Sequence, residues 1–87
     1  MILRRGAVMD AIEIDGEVVV MIGEAVLLLG PIAGRVWTWA GDGVAEADLR
    51  ERIFARFGHP GDPDQAWTAI IAELVRHGVI ERVEAPQ

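Results

Sequence analysis

The chain contains no cysteine and no lysine, and it has no long hydrophobic run. Without cysteine, disulfides, thiolate zinc sites and a cysteine nucleophile are excluded. A membrane-spanning helix needs about 20 consecutive apolar residues, and no stretch approaches that length. The first residues also lack the order of a signal peptide, in which charge precedes a long apolar segment. We therefore expect a cytosolic protein that has no membrane partner.

Positive charge is scarce as well. Eight arginines face fourteen acidic residues, so the net charge is −6. Nucleic-acid binding depends on basic side chains that neutralise phosphates. The arginines between residues 50 and 56 are interleaved with acidic residues, so no basic face is evident. Nucleic acid is therefore disfavoured as a partner.

The length of 87 residues and the 52% hydrophobic content predict one folded domain. A core of this size leaves little room for an enclosed active site, so an enzyme is not expected. Composition divides the chain into a mobile or loosely paired lead-in (residues 1–7), a sheet (8–29), a helical part (31–80) and a polar tail (81–87).

Three short strands are predicted in the first third of the chain, over residues 8–14, 17–22 and 25–29. Asp15-Gly16 lies between the first two, and Asp-Gly between β-rich runs is a strong hairpin signal. Gly23-Glu24 provides the second turn. The sequence therefore predicts a three-stranded antiparallel meander.

Three helices are predicted to follow. Pro31 suits a first helical turn, and the first helix runs to residue 40. The second spans residues 45–57, and the third runs from an Asp62 or Asp64 cap to about residue 77, where Gly78 ends it. The order βββααα predicts an α+β fold that resembles a winged helix-turn-helix unit with its sheet placed first.

The histidines are weak candidates for a metal site. His59 lies in a Pro/Gly-rich loop and His77 at a helix end, whereas zinc needs three or four ligands. Glu73 and His77 are spaced i,i+4 and can share a face, which is also the ordinary position for a cation near a helix C-terminus. We predict no metal and no cofactor.

The tryptophans are more informative. Trp37 and Trp39 lie about 200° apart around their helix, so they cannot share a face. One is expected in the core, and the other is either partly exposed or a docking residue for a partner. Trp67 either packs in the core or stands at one end of a groove.

A peptide-binding groove is the sharpest site hypothesis. The third strand is apolar on both faces, and its backbone can accept a further strand. The third helix has an apolar stripe wider than one neighbour requires. The strand residues of the predicted site are Ala25, Val26, Leu27, Leu28 and Leu29. The helix residues of its apolar wall are Trp67, Ile70, Ile71 and Leu74.

Four stretches carry a family resemblance. They are DGEVVV (15–20), LLLGPIAGRVW (27–37), AEADL (45–49) and IIAELVRHGVI (70–80). In this order and spacing they resemble the precursor-peptide recognition elements, the family of the pyrroloquinoline-quinone biosynthesis protein D. The likeness extends over roughly residues 8–83.

The resemblance implies a non-catalytic adaptor. Such domains bind the leader of a ribosomally made precursor peptide as a strand beside the third strand and against the third helix. A chain of this length most resembles the recognition proteins of lasso-peptide clusters. These work with a leader peptidase of the transglutaminase or papain-like type and with a macrocyclase. A quinone-cofactor peptide chaperone is the alternative, followed by a winged-helix DNA-binding regulator and a small subunit of an enzyme complex.

Overall fold

The computed structural model describes residues 1–8 and 10–84 and has an α+β architecture. Its strands are β1 (Ile2–Arg5), β2 (Asp10–Ile14), β3 (Glu17–Ile22), β4 (Ala25–Leu29), β5 (Val44–Ala45) and β6 (Ile80–Val83). Its helices are α1 (Pro31–Ala40), α2 (Glu46–Phe57) and α3 (Pro63–Arg76). None of the helices in the described ranges is both long and apolar enough to cross a membrane.

Strands β2, β3 and β4 form the predicted antiparallel meander. Asp15 and Gly16 both have positive φ, at 52° and 82°, which matches the turn that suits a two-residue hairpin. In the second turn Gly23 has φ 59°. The register pairs Ile12 with Val19 and Val19 with Leu28. The predicted meander and the three helices after it are confirmed.

A second three-stranded sheet is the main correction to the expected fold. Strand β1 lies between β5 and β6, antiparallel to both. Residues 1–7 are therefore not a loosely paired lead-in, because they contain a central strand whose Leu3 is fully buried. Residues 81–83, expected in a polar tail, belong to β6. Met9 and residues 85–87 of the predicted strand and tail lie outside the described residues.

The second sheet escapes a local analysis because its strands are far apart in the chain. Leu3 pairs with Val44 on one side and with Arg82 on the other. Neither pairing is connected by a hairpin turn that the sequence could reveal, and β5 has only two residues. A winged-helix unit with one small sheet therefore does not describe the observed sheet arrangement.

The helix boundaries follow their local signals. Pro31 and Pro63 occupy first turns. Of the two proposed caps for α3, Asp62 is the one that accepts a hydrogen bond, from the Gln65 N–H at 3.1 Å. Gly34 lets α1 approach the meander, because a Cβ at this position would lie 3.2 Å from Val18 Cγ2.

The core lies between the inner face of the meander, the three helices and the second sheet. Its buried side chains are Leu3, Val18, Val20, Leu29, Val36, Ala40, Leu49, Ile53, Phe54, Trp67, Ile71, Leu74, Val79 and Ile80. Val79 and Ile80, which follow α3, complete this core. Ile22 continues the packing towards the end of α3, where a Cβ at Gly78 would lie 3.9 Å from Ile22 Cγ2.

Candidate peptide-binding edge and groove

Strand β4 forms an edge of the meander, and no other strand in the described part of the chain pairs with its outer side. A two-residue turn makes Ile22 and Ala25 a hydrogen-bonded pair, and such pairs alternate along an antiparallel ladder. The N–H and C=O groups of Val26 and Leu28 therefore point away from β3. They offer donors and acceptors to an incoming strand.

The two edges of the meander differ in charge. Strand β2 carries Asp10 and Glu13, whereas β4 has no charged side chain. Charged side chains on an edge strand discourage pairing with another chain. Strand β4 is therefore the edge better suited to accept a strand.

The side chains of β4 alternate between the interior and the surface. Leu29 is buried and Leu27 is half-buried against the core. On the opposite face Val26 is 62% exposed and Leu28 is 64% exposed. One face of β4 therefore packs against the core and the other face is exposed, as the sequence predicted.

An apolar groove begins where β4 ends. Its first part is an open cavity of about 340 Å³ that Gly30 and Pro31 line together with Ile70 and Leu74 of α3. Its second part, of about 290 Å³, lies between α2 and α3. Ile32 and Ile70 line both parts, so the two cavities lie next to each other along α3.

Two of the four residues in the predicted wall of α3 line the groove. Ile70 and Leu74 line the groove, but Trp67 and Ile71 do not. At 100° per residue, Leu74 and Trp67 lie in the middle of the stripe, with Ile70 about 40° beyond Leu74 on one side and Ile71 about 40° beyond Trp67 on the other. The side with Trp67 and Ile71 packs into the core, where both are buried, and the side with Ile70 and Leu74 faces the groove. The wide stripe thus serves two surfaces.

Trp67 anchors α3 in the core. Its Nε1–H donates to Oε2 of Glu46 at 2.9 Å, and its ring meets the Phe54 ring edge-on at 6.0 Å. Arg82 of β6 donates to the same carboxylate at 3.0 and 3.1 Å. The hydrogen bond from Arg82 is the largest cause of the lowered pKa of Glu46. Of the two roles left open for Trp67, core packing is the one observed.

Trp37 and Trp39 are buried to a similar degree, although one was expected in the core and the other was expected to be partly exposed or to dock a partner. Both are half-buried, so neither is a fully buried core residue. The Arg5 guanidinium lies 4.1 Å from the centre of the Trp37 ring, and that of Arg52 lies 4.3 Å from the centre of the Trp39 ring. Neither tryptophan lines the groove.

Acidic and basic side chains border the groove at its β4 end. Glu73, on the rim of the first cavity, accepts hydrogen bonds from Arg76 at 2.6 Å and lies 3.0 Å from His77 Nε2. The hydrogen bonds from Arg76 and then from His77 lower the pKa of Glu73. The predicted proximity of Glu73 and His77 is confirmed. No group of three or more His, Asp or Glu side chains within the described ranges is placed to hold a metal ion.

Several lining residues were missed by the sequence analysis. Ile32 of α1 and Phe57 of α2 line the cavity between α2 and α3, and neither is among the predicted site residues. His59 and Pro60, in the loop after α2, close the far end, and the His59 ring lies 5.5 Å from that of Phe54. An available signal was Phe57, a large apolar residue next to the helix-ending Gly58.

No protein-family model, no curated protein and no solved structure matches this chain.

Proposed function

We propose that this chain is a non-catalytic adaptor that binds the leader region of a ribosomally synthesised precursor peptide. The leader adds as a strand along β4 and rests in the groove against α3. The observation that carries the proposal is the uncharged outer edge of β4, which no other strand of the described residues covers. Had β1 folded over this edge, there would be no place for a peptide, but β1 pairs with β5 and β6.

The groove supplies the specificity that an edge lacks. Main-chain hydrogen bonds to Val26 and Leu28 are the same for any peptide sequence, whereas pockets select side chains. Alternate side chains of an added strand point inward, towards Ile70 and Leu74 at the carboxyl end of β4. Two or three apolar anchors in these cavities are enough for a Kd between roughly micromolar and nanomolar.

The pathway rests on the family resemblance alone. A lasso-peptide cluster is the favoured setting, in which the adaptor presents the leader to a papain-like peptidase and works beside a macrocyclase in the cytosol. A quinone-cofactor chaperone is the alternative within the same mode of binding. A short precursor, a peptidase and an amidotransferase-like enzyme encoded beside this chain would favour the lasso setting.

The test is a titration of the chain with a fluorescent leader peptide encoded beside it, followed by anisotropy. Val26→Pro removes an N–H that points away from β3, so the ladder of the meander is kept while a bond to the peptide is lost. We expect Val26→Pro to weaken leader binding at least tenfold. Val26→Ala, which keeps the N–H, is the matched control and should stay within about threefold of the parent chain.

A second pair of variants tests the groove. Ile70→Asp places a charge in both cavities and should weaken the leader at least tenfold, whereas Thr68→Asp, on an exposed face of the same helix, should not. Circular dichroism confirms that each variant is folded. The proposal is wrong if the parent chain binds no encoded leader, or if Val26→Pro and Val26→Ala bind it equally well.

A further inference from the structure

The outer face of the meander is apolar and uncovered by the described residues. The pairing register places six apolar side chains on it: Ile12, Ile14, Val19, Met21, Val26 and Leu28. Ile12 and Ile14 are 52% and 56% exposed, and Met21 is 40% exposed. Antiparallel meanders ordinarily turn a polar face to water. A contiguous apolar face is therefore a mark of an interaction surface.

The charged side chains of the meander itself are all of one sign. Five acidic residues and no arginine lie within residues 10–29, while nine acidic residues and all eight arginines lie elsewhere. Asp10 and Glu17 lie on the outer face itself, by the same alternation that places Ile12 and Val19 there. The complementary surface is apolar at its centre and bordered by arginine or lysine.

A second copy of this chain does not fit that description. Two such faces packed together would bring acidic rims against each other, which costs free energy at a partly desolvated contact. The face also consists of only six apolar side chains, against about 20–30 residues on each side of a standard interface. A partner must therefore also contact surface beyond this face.

A strand added to β4 would supply part of that extra surface. It would continue the sheet, so its outward side chains would lie next to Val26 and Leu28. A protein packed on the outer face would then contact the adaptor and the peptide together.

We infer that the outer face of the meander docks the enzyme that processes the bound peptide, through an apolar patch with a basic rim. The identity of this partner rests on the proposed function, but the surface does not. The enzyme binds the adaptor with leader more tightly than the adaptor without it, because the added strand widens the shared face.

The test uses the purified leader peptidase encoded beside this chain, with surface plasmon resonance for the peptidase and anisotropy for the leader. Ile12 lies on β2, away from the β4 edge. Ile12→Arg replaces an apolar contact with a positive charge, which a basic rim on the partner would repel. We expect peptidase affinity to fall at least tenfold and leader affinity to stay within about twofold. Val75→Arg, at an exposed apolar position of α3, is the matched control and should leave peptidase affinity unchanged.

Two further variants sharpen the result. Ile14→Arg should reproduce the loss, and it replaces Ile12→Arg if that variant does not fold. Asp10→Asn with Glu17→Gln should slow peptidase association several-fold at low salt, because it removes charge from the face.

The outcomes separate the two proposals. Unchanged peptidase affinity in Ile12→Arg and Ile14→Arg overturns the docking surface, while leader binding keeps the proposed function. If the chain binds no leader but its affinity for the peptidase still depends on Ile12, the proposed function is overturned and the docking surface is supported. A parent chain that binds no peptidase, or that dimerises through Ile12 in sedimentation, also overturns the inference.

Discussion

The two sheets of this protein are built in opposite ways. In the meander, consecutive strands pair through two-residue turns, one edge is uncharged and the outer face is apolar. In the second sheet, β1 at the start of the chain pairs with β6 near its end, and Leu3 is fully buried. Arg4 of β1 forms an ion pair with Glu81 of β6, and Arg82 of β6 forms one with Glu46 of α2.

This difference separates stability from binding. The second sheet joins the two ends of the described chain and carries side chains that the core requires. The meander contributes its inner face to the core, and none of the described residues covers its outer face or pairs with the outer edge of β4. Variants at buried positions of the second sheet should therefore destabilise the protein, and variants on the outer face of the meander should change its stability little.

The largest expected effect compares the same substitution in both sheets. Leu3→Ala leaves a cavity at a fully buried site and should lower the free energy of unfolding by about 3 kcal/mol. Leu28→Ala, at a site 64% exposed, should change it by less than about 0.5 kcal/mol. Urea denaturation measures both, and equal losses would remove the distinction between the sheets.

The second prediction concerns the approach of the chain's two ends. A Cβ on Gly6 would lie 1.9 Å from the Gly78 carbonyl oxygen, next to the 2.8 Å bond from the Gly6 N–H to the Val79 oxygen. Gly6→Ala must shift the backbone and should cost about 2 kcal/mol.

Gly30→Ala is the control for Gly6→Ala, because a Cβ there meets nothing within 4 Å. It should be close to neutral in the same denaturation measurement. If Gly6→Ala were as mild as Gly30→Ala, the close contact between residues 6 and 78 would be refuted.

The smallest expected effect depends on pH. Hydrogen bonds from Arg82 and Trp67 lower the pKa of Glu46 from its ordinary value of 4.5, so the carboxylate stabilises the folded state above that pH. This contribution is lost as the pH falls through the lower pKa of the folded state. Glu46→Gln should lose about 1 kcal/mol at pH 7, and the difference from the parent chain should shrink in acid. A difference that grows below pH 4.5 would contradict this assignment.

The sequence predicted much of the local structure and less of the site. Asp15-Gly16 and Gly23-Glu24 predicted the meander, and its observed register follows from these turns because a two-residue turn determines which residues face each other. The stripe of α3 was recognised, but its division was not. Trp67 and Ile71 were placed in the groove beside Ile70, since periodicity locates an apolar face without saying which neighbour covers each part of it.

Local patterns alone determined the three strands of the meander, the helix starts at Pro31 and Pro63, and the two-faced apolar character of residues 25–29. Each of these depends on residues within a few positions of one another. The tertiary structure decided that residues 2–5 form the centre of a second sheet, that Trp67 lies in the core, and that no strand within residues 1–8 and 10–84 pairs with the outer edge of β4. These outcomes depend on contacts between segments up to about 80 residues apart, and loop closure over such distances leaves no local trace.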